Sequence, residues 1–209
     1  MSIGFDLDMT LVDSAAAIVD AVAFTCASYG VTVDEAAIAA TVGLPLDQVF
    51  PDWLPGVDYA EALTIYRGRY LSHGVAMSRA LPGAHESLVA VLTAGGTVVV
   101  VSAKHETHVR AVLVAVGLDE YVAHVEGELF GAAKGEALLR HRASAYVGDH
   151  PGDVAGAHAA GAVAVAVPTG PTSGEVLGAL LEGADVLLPD LTHFPAWLDG
   201  HLNSRDAAT

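Results

Sequence analysis

The five residues Thr97 to Val101, TVVVV, constrain the fold more than any other stretch of the chain. A run this apolar and β-branched has no polar face, so it fits a strand covered on both sides, as in the middle of a parallel sheet. Parallel neighbours need crossover helices, and the sequence supplies them in alternation. Residues 86–94 read as a helix stopped by Gly95, residues 106–116 as a helix closed by Gly117, and residues 121–125 as a weak strand. A helix at 134–142, a strand at 143–147, a helix from Asp153, strands at 163–167 and 185–188, and a terminal helix at 194–202 complete the series. With a short apolar strand at Ile3 to Phe5, this winding predicts an α/β fold built on a Rossmann-like parallel sheet.

Residues 14–80 carry no strand signal. Ser14 reads as the N-cap of a helix ended by Gly30, Asp34 opens a short helix that closes near Gly43, and Pro51 breaks an apolar patch at Val49-Phe50. Asp58 to His73 reads as one longer helix. The expected organisation is therefore a helical insertion at 14–80, with 1–13 and 81–209 forming the sheet-bearing core. Only residues 204–209 lack pattern and read as a frayed end.

Composition narrows the function. The chain has 209 residues, 53% hydrophobic, with a formal net charge of −16 and nine Lys plus Arg. So few cations cannot neutralise a phosphate backbone or an anionic membrane, so no nucleic-acid or membrane partner is expected. Cys26 stands alone, which excludes an internal disulfide. No leader pattern opens the sequence and no apolar run approaches a membrane span. The expectation is a soluble, cytoplasmic protein, monomer or homodimer.

In an open parallel sheet, ligands sit at the carboxyl ends of the strands. The first strand ends in Asp6-Leu7-Asp8-Met9-Thr10, the valine strand in Ser102-Ala103-Lys104, and the strand at 143–147 in Gly148-Asp149-His150-Pro151-Gly152-Asp153. Lys134 opens the helix before that last strand. Acids, a hydroxyl and a lysine thus converge at neighbouring strand tips. Each piece alone also fits an ordinary solvated turn or helix cap, and a cation at a helix N-terminus is disfavoured unless an anion lies near.

The segments FDLDMTLVDS, VVVSAK, the isolated Lys134 and YVGDHPGD resemble, in order and spacing, the four motifs of the haloacid dehalogenase superfamily of phosphatases. The similarity to its phosphoglycolate phosphatase-like members covers nearly the whole chain, and the 14–80 insertion resembles their small helical cap. The resemblance implies that Asp6 is a nucleophile forming an aspartyl-phosphate and that Asp8 is a general acid and base. It implies Mg²⁺ held by Asp6, the Asp8 carbonyl and Asp149, with Asp153 behind them. Ser102, Ala103 and Lys134, with loop groups of Leu7, Met9 and Thr10, would hold the phosphoryl oxygens. Gly43, Leu44 and Pro45 of the cap, Arg67, Arg69 and His150 are implied substrate neighbours, with Arg79 a further cation beside the cap. The implied partner is a small phosphorylated metabolite. Met9 stands where the family usually has glycine, and Gly135 follows Lys134 in place of a frequent proline. A phosphomutase of the β-phosphoglucomutase kind uses the same motifs, and a catalytically silent binding protein is the reading from another class. Lys104 reads as a solvated helix-entry residue, and His105 and His108 as surface histidines.

Overall fold

The computed structural model describes residues 1–170 and 174–206. Strand β1 (Ser2–Phe5) leads through a two-residue β2 (Val12–Asp13) into helices α1 (Ala15–Ser28), α2 (Glu35–Ala39), α3 (Leu46–Trp53), α4 (Tyr59–Arg69) and α5 (Val75–Met77). A two-residue β3 (Arg79–Ala80) follows, then α6 (Ala84–Thr93), β4 (Thr97–Val101), α7 (Glu106–Val116), β5 (His124–Glu126) and α8 (Lys134–Arg140). The chain continues through β6 (Ala143–Gly148), α9 (Pro151–Ala159), β7 (Val163–Ala166), α10 (Gly174–Gly183), β8 (Val186–Leu187) and α11 (Phe194–Asp206). Six strands form one sheet in the order β5-β4-β1-β6-β7-β8, and every pairing in it is parallel. Among the described residues no helix is long and apolar enough to cross a membrane.

The valine strand lies second from one edge, with β1 beside it at the centre. Alternation along the strands divides the core in two. Ile3, Phe5, Val98, Val100 and Val147 pack into one face, while Val99, Val101, Tyr146, Ala164 and Ala166 pack into the other. Burying each of the larger of these side chains contributes on the order of 1.5–3 kcal/mol. Chain order runs outward from β1 through β4 to β5, then returns to β6 on the opposite side. The reversal opens a crevice at the carboxyl ends of β1, β4 and β6.

Gly4 faces the second core, where an added Cβ would lie 2.7 Å from Leu138 and 2.8 Å from Tyr146. Its missing side chain lets the Tyr146 ring lie across β1 and carry its hydroxyl toward the crevice.

Several elements differ from the sequence reading. β2 and β3 pair antiparallel, Val12 with Ala80 and Asp13 with Arg79, and β3 falls in the 14–80 region expected to hold no strand. Two residues per strand are too few to show a period. Helix α3 runs through Pro51 instead of stopping there, anchored by the buried Val49 and Phe50. The long helix expected to His73 ends as α at Arg69 and widens into a π turn at Tyr70–Gly74, which turns Tyr70 fully inward. Helix α10 had no counterpart in the reading. Helix α11 continues to Asp206, beyond the expected fraying point, and residues 207–209 lie outside the described residues.

Candidate active site

The four expected acids and Lys134 meet in one cavity of about 420 Å³ between the strand tips and the helices that follow β2. Its floor is built from three strand ends. Phe5 is locked between Val100 and Val147, so Asp6 emerges where β1 leaves the sheet. Ser102 follows β4, and Asp149 follows β6. Carboxylate oxygens of Asp6, Asp149 and Asp153 lie within 4.8 Å of one another.

Lys134 holds this cluster together. Its ammonium donates to Asp153 at 2.6 Å, to Asp6 at 3.0 Å and to the Tyr146 hydroxyl at 2.9 Å. The tyrosine passes its own proton to the Val101 carbonyl at 2.6 Å. Burial opposes the Lys134 charge, yet Asp153 and Asp6 hold it well above the ordinary lysine range. Close packing seats it, since a Cβ on Gly156 would lie 2.9 Å from the Lys134 Cβ and one on Gly135 2.6 Å from Ala159. Glycine rather than proline at 135 therefore lets α8 close onto α9.

Asp153 is occupied on both oxygens, by Lys134 and by the His150 backbone N–H at 3.0 Å. It caps α9 and orients the lysine. His150 completes that cap by accepting from the Gly152 N–H, and its ring lines the cavity beside Phe130. Gly43 lies over this ring, and Leu44 and Pro45 line the cavity with it.

The acids demand a positive partner beyond Lys134. Burial, together with the charges of Asp153 and Asp8, pushes Asp6 up to about 7 despite the lysine. Burial and the charges of Asp153 and Asp6 push Asp149 well above the usual carboxylate range. Hard oxygen donors so gathered and so short of positive charge fit a small divalent cation such as Mg²⁺. Asp6 and Asp149 are the pair able to hold it, because Asp153 is already spent.

The loop after β1 positions these groups from behind. Met9 adopts φ 58°, the left-handed conformation usually given to glycine, at a cost of roughly 1–2 kcal/mol. Its N–H donates to the Val12 carbonyl at 2.7 Å, and its own carbonyl accepts from the Thr169 hydroxyl. The Thr10 N–H goes to the Leu7 carbonyl, while the Thr10 hydroxyl donates to Asp149 at 2.9 Å. The amides of Met9 and Thr10, expected to meet a phosphate, are thus consumed within the loop. Leu7 is fully buried, and its carbonyl also accepts from Leu11 and Val12. Ser102 is buried in the cavity wall and Ala103 is exposed on it.

Four further readings need correction. Lys104 is not a solvated helix-entry residue: its side chain is 5% exposed, 3.2 Å from Asp8 Oδ2 and 3.9 Å above the Tyr70 ring. His108 is not a surface histidine, being buried and stacked on the opposite partner of that lysine, Tyr70, at 5.3 Å. Burial, with the Lys104 charge nearby, lowers it to about 4. Arg69 does not face the cavity. It makes a two-pronged pair with Asp20 at 2.7 and 2.8 Å and lies over Phe24. Arg79 likewise turns to the carbonyls of Ala76 and Ser78. Arg67 does line the cavity, paired with Glu128.

Sequence reasoning missed Tyr146 and the second role of Ser14, which stands at the N-cap of α1 as expected. The Ser14 hydroxyl makes no cap hydrogen bond to α1 and donates to Asp8 instead. Tyr146 sits inside a strand, where an aromatic looks like core, and no local signal marks its hydroxyl.

Acids on adjacent parallel strand tips, a buried lysine across them and a helical roof define an α/β protein with a group-transfer site at its topological switch point. The chain belongs to the haloacid dehalogenase-like hydrolases, whose family model matches residues 3–167. It is 30% identical over 178 residues to tyrosine-protein kinase PtkA of Mycobacterium tuberculosis, covering 79% of this chain and 61% of the kinase. The chain thus spans about three fifths of that relative's length. It is 30% identical over 195 residues to phosphoglycolate phosphatase of Mesorhizobium japonicum, covering 82% of this chain and 84% of that one. In fold it is similar to a haloacid dehalogenase-like family hydrolase of Streptococcus pneumoniae, with a TM-score of 0.82 and 24% identity over 94% of this chain and 97% of that one.

Proposed function

We propose that this protein is a Mg²⁺-dependent phosphomonoesterase acting on a small phosphorylated metabolite, phosphoglycolate-like or a sugar phosphate, through an aspartyl-phosphate. The observation that carries the reading is the meeting of Asp6, Asp149 and Asp153 around Lys134 in one roofed cavity. The helices of residues 14–80 serve as its cap. When bound between Asp6 and Asp149, Mg²⁺ would offset the charge of nucleophile and phosphate. Asp6 attacks phosphorus in line, and the ester P–O bond breaks as the new Asp6 O–P bond forms. Asp8 gives its proton to the departing oxygen. It then takes one from water, which opens the acyl phosphate, releases inorganic phosphate and restores the Asp6 carboxylate. Ser102 and Ala103 hold the phosphoryl oxygens as their charge redistributes, and the Lys134 charge, seated on Asp6, Asp153 and Tyr146, offsets that charge from beside them. The roof excludes bulk water during the first step.

The test is turnover of 4-nitrophenyl phosphate with Mg²⁺. Asp6→Asn is expected to lose activity by at least ~10³-fold, as removal of a covalent nucleophile does, with the thermal midpoint unchanged or higher. Equal turnover by Asp6→Asn, or a rate indifferent to EDTA, rejects the mechanism. Absence of turnover in the unmodified chain favours a silent binding protein.

A further inference from the structure

The cavity is far from uniform, and its outer half carries information about the leaving group. Beyond the acids the apolar part of its wall is formed by Ile18, Leu44, Leu46, Tyr59, Tyr66 and Phe130, beside the polar Gln48, His105 and His108. Two of these are large apolar groups left open to solvent at the mouth, Leu44 at 39% and Tyr59 at 41% exposure. Inward, Phe50 contacts both Tyr59 and Tyr66, and Tyr66 leads to Tyr70, with ring centroids 5.9–6.4 Å apart throughout. Tyr59, Tyr66 and Phe130 line the chamber, with Phe50 and Tyr70 packed behind them, and a volume of about 420 Å³ is far more than a two-carbon acid requires.

Charge points the same way. Three cations line the cavity among the described residues, and each is already matched. Lys134 serves Asp6 and Asp153, Lys104 serves Asp8, and Arg67 serves Glu128. Six carboxylates face those three cations. A divalent ion and a phosphate dianion cancel, so the chamber stays negative when loaded. A leaving group bearing a carboxylate or a second phosphate would meet repulsion and find no unengaged lysine or arginine among the described residues of the lining. Glu128 occupies the one guanidinium that would serve such a group, and it does so from a left-handed backbone position, φ 60°.

We infer that the site selects phosphate monoesters of uncharged alcohols that carry an aromatic ring, and that Glu128 enforces the choice by holding Arg67. This rests on the phosphatase reading above, keeps its chemistry, and replaces its phosphoglycolate-like or sugar-phosphate substrate with an aromatic one; it also disfavours the bisphosphates a mutase requires. Tyr59, Tyr66 and Phe130 offer faces and edges to the ring, and the apolar side chains near the mouth exclude water from it.

The experiment compares kcat/KM of the full chain with Mg²⁺ for benzyl phosphate, glycerol 1-phosphate, 2-phosphoglycolate and glucose 1,6-bisphosphate. All have unactivated alkyl leaving groups or a sugar phosphate, so an activated ester bond does not set the order. Benzyl phosphate is expected to lead phosphoglycolate and the bisphosphate by at least ~10-fold, the discrimination a well-packed apolar contact gives. Phe130→Ala is expected to raise KM more for benzyl phosphate than for glycerol 1-phosphate. Glu128→Gln is expected to lower KM for phosphoglycolate about fivefold, as Arg67 becomes available. Preference for phosphoglycolate or the bisphosphate in the unmodified chain overturns the inference and leaves the phosphatase reading standing. An equal effect of Phe130→Ala on both neutral esters also overturns it. Failure on all four esters and on 4-nitrophenyl phosphate removes the phosphatase reading and the inference together.

Discussion

The floor and the roof of the cavity are made differently. On the floor, Asp6, Asp149, Asp153 and Lys134 are each nearly buried, ride on strand ends or the helices beside them, and are fixed by bonds of 2.6–3.0 Å. On the roof, Tyr59 and Leu44 stand open, and the Arg67–Glu128 pair that ties α4 to the loop after β5 is 32% and 57% exposed. A group that must meet phosphorus within a few tenths of an ångström belongs on the rigid sheet. On the proposed reading, groups that choose among alcohols tolerate looser anchoring, and they come from the inserted helices (Tyr59, Tyr66) and from the loop after β5 (Glu128, Phe130).

The sharpest way to break this contrast is on the floor. Lys134→Met leaves Asp6 and Asp153 buried without their cation and is expected to cost roughly 3–5 kcal/mol, as loss of one partner in a buried pair does. Thermal or urea unfolding checks it, and the Asp153→Asn background should recover part of the loss. A small effect would mean the acids find another partner.

Acidity acts with opposite signs on Asp6 at the floor and on His108 of α7, beneath the roof. Without metal, folded Asp6 takes its proton near pH 7, whereas an ordinary aspartate does so near 3.8. Between these the folded state carries the extra proton, so this contribution to stability falls as pH rises through 7. His108, on the α7 face beneath the Tyr70 turn, is lowered from 6.5 to about 4, so its contribution is present above 6.5 and is lost as pH falls toward 4. The two contributions oppose each other across the same window, so stability measured in EDTA should change little between about pH 4 and 6.5. Asp6→Asn should leave stability rising with pH across that window, and His108→Leu should leave it falling. The same proton competes with Mg²⁺, whose affinity by calorimetry should weaken roughly tenfold per unit below pH 7.

Gly4→Ala probes what supports the floor. Its methyl would meet Leu138 and Tyr146, costing about 1–3 kcal/mol and shifting the Tyr146 hydroxyl from Lys134. Activity should fall along with the unfolding midpoint. Smallest of all, Arg67→Ala should change stability by less than about 1 kcal/mol, because an exposed ion pair is screened. If unfolding shows a larger loss, the roof is held more firmly than its exposure suggests.

The floor was largely legible in the sequence because strand tips advertise themselves: Asp6, Ser102 and Asp149 each follow an apolar run that ends abruptly. Lys104 was not legible. Its role depends on Asp8 from one strand tip and Tyr70 from a distant helix end, and a lysine after Ser-Ala looks solvated until both arrive. Arg67 and Arg69 are two residues apart on one helix, so pattern alone could not tell that one faces Glu128 and the other Asp20. Met9 looked like a departure from glycine, yet its backbone takes glycine's conformation and is held there by Val12 and Thr169.

The short ribbon of Val12–Asp13 against Arg79–Ala80, continued by the Leu81 N–H to the Leu11 carbonyl, brings the entry and exit of the inserted helices side by side. A segment joined to its host at one doorway is an exchangeable cassette. Cutting at that doorway and splicing in the helices of a relative would alter which alcohol is admitted while every strand of the main sheet stayed as it was.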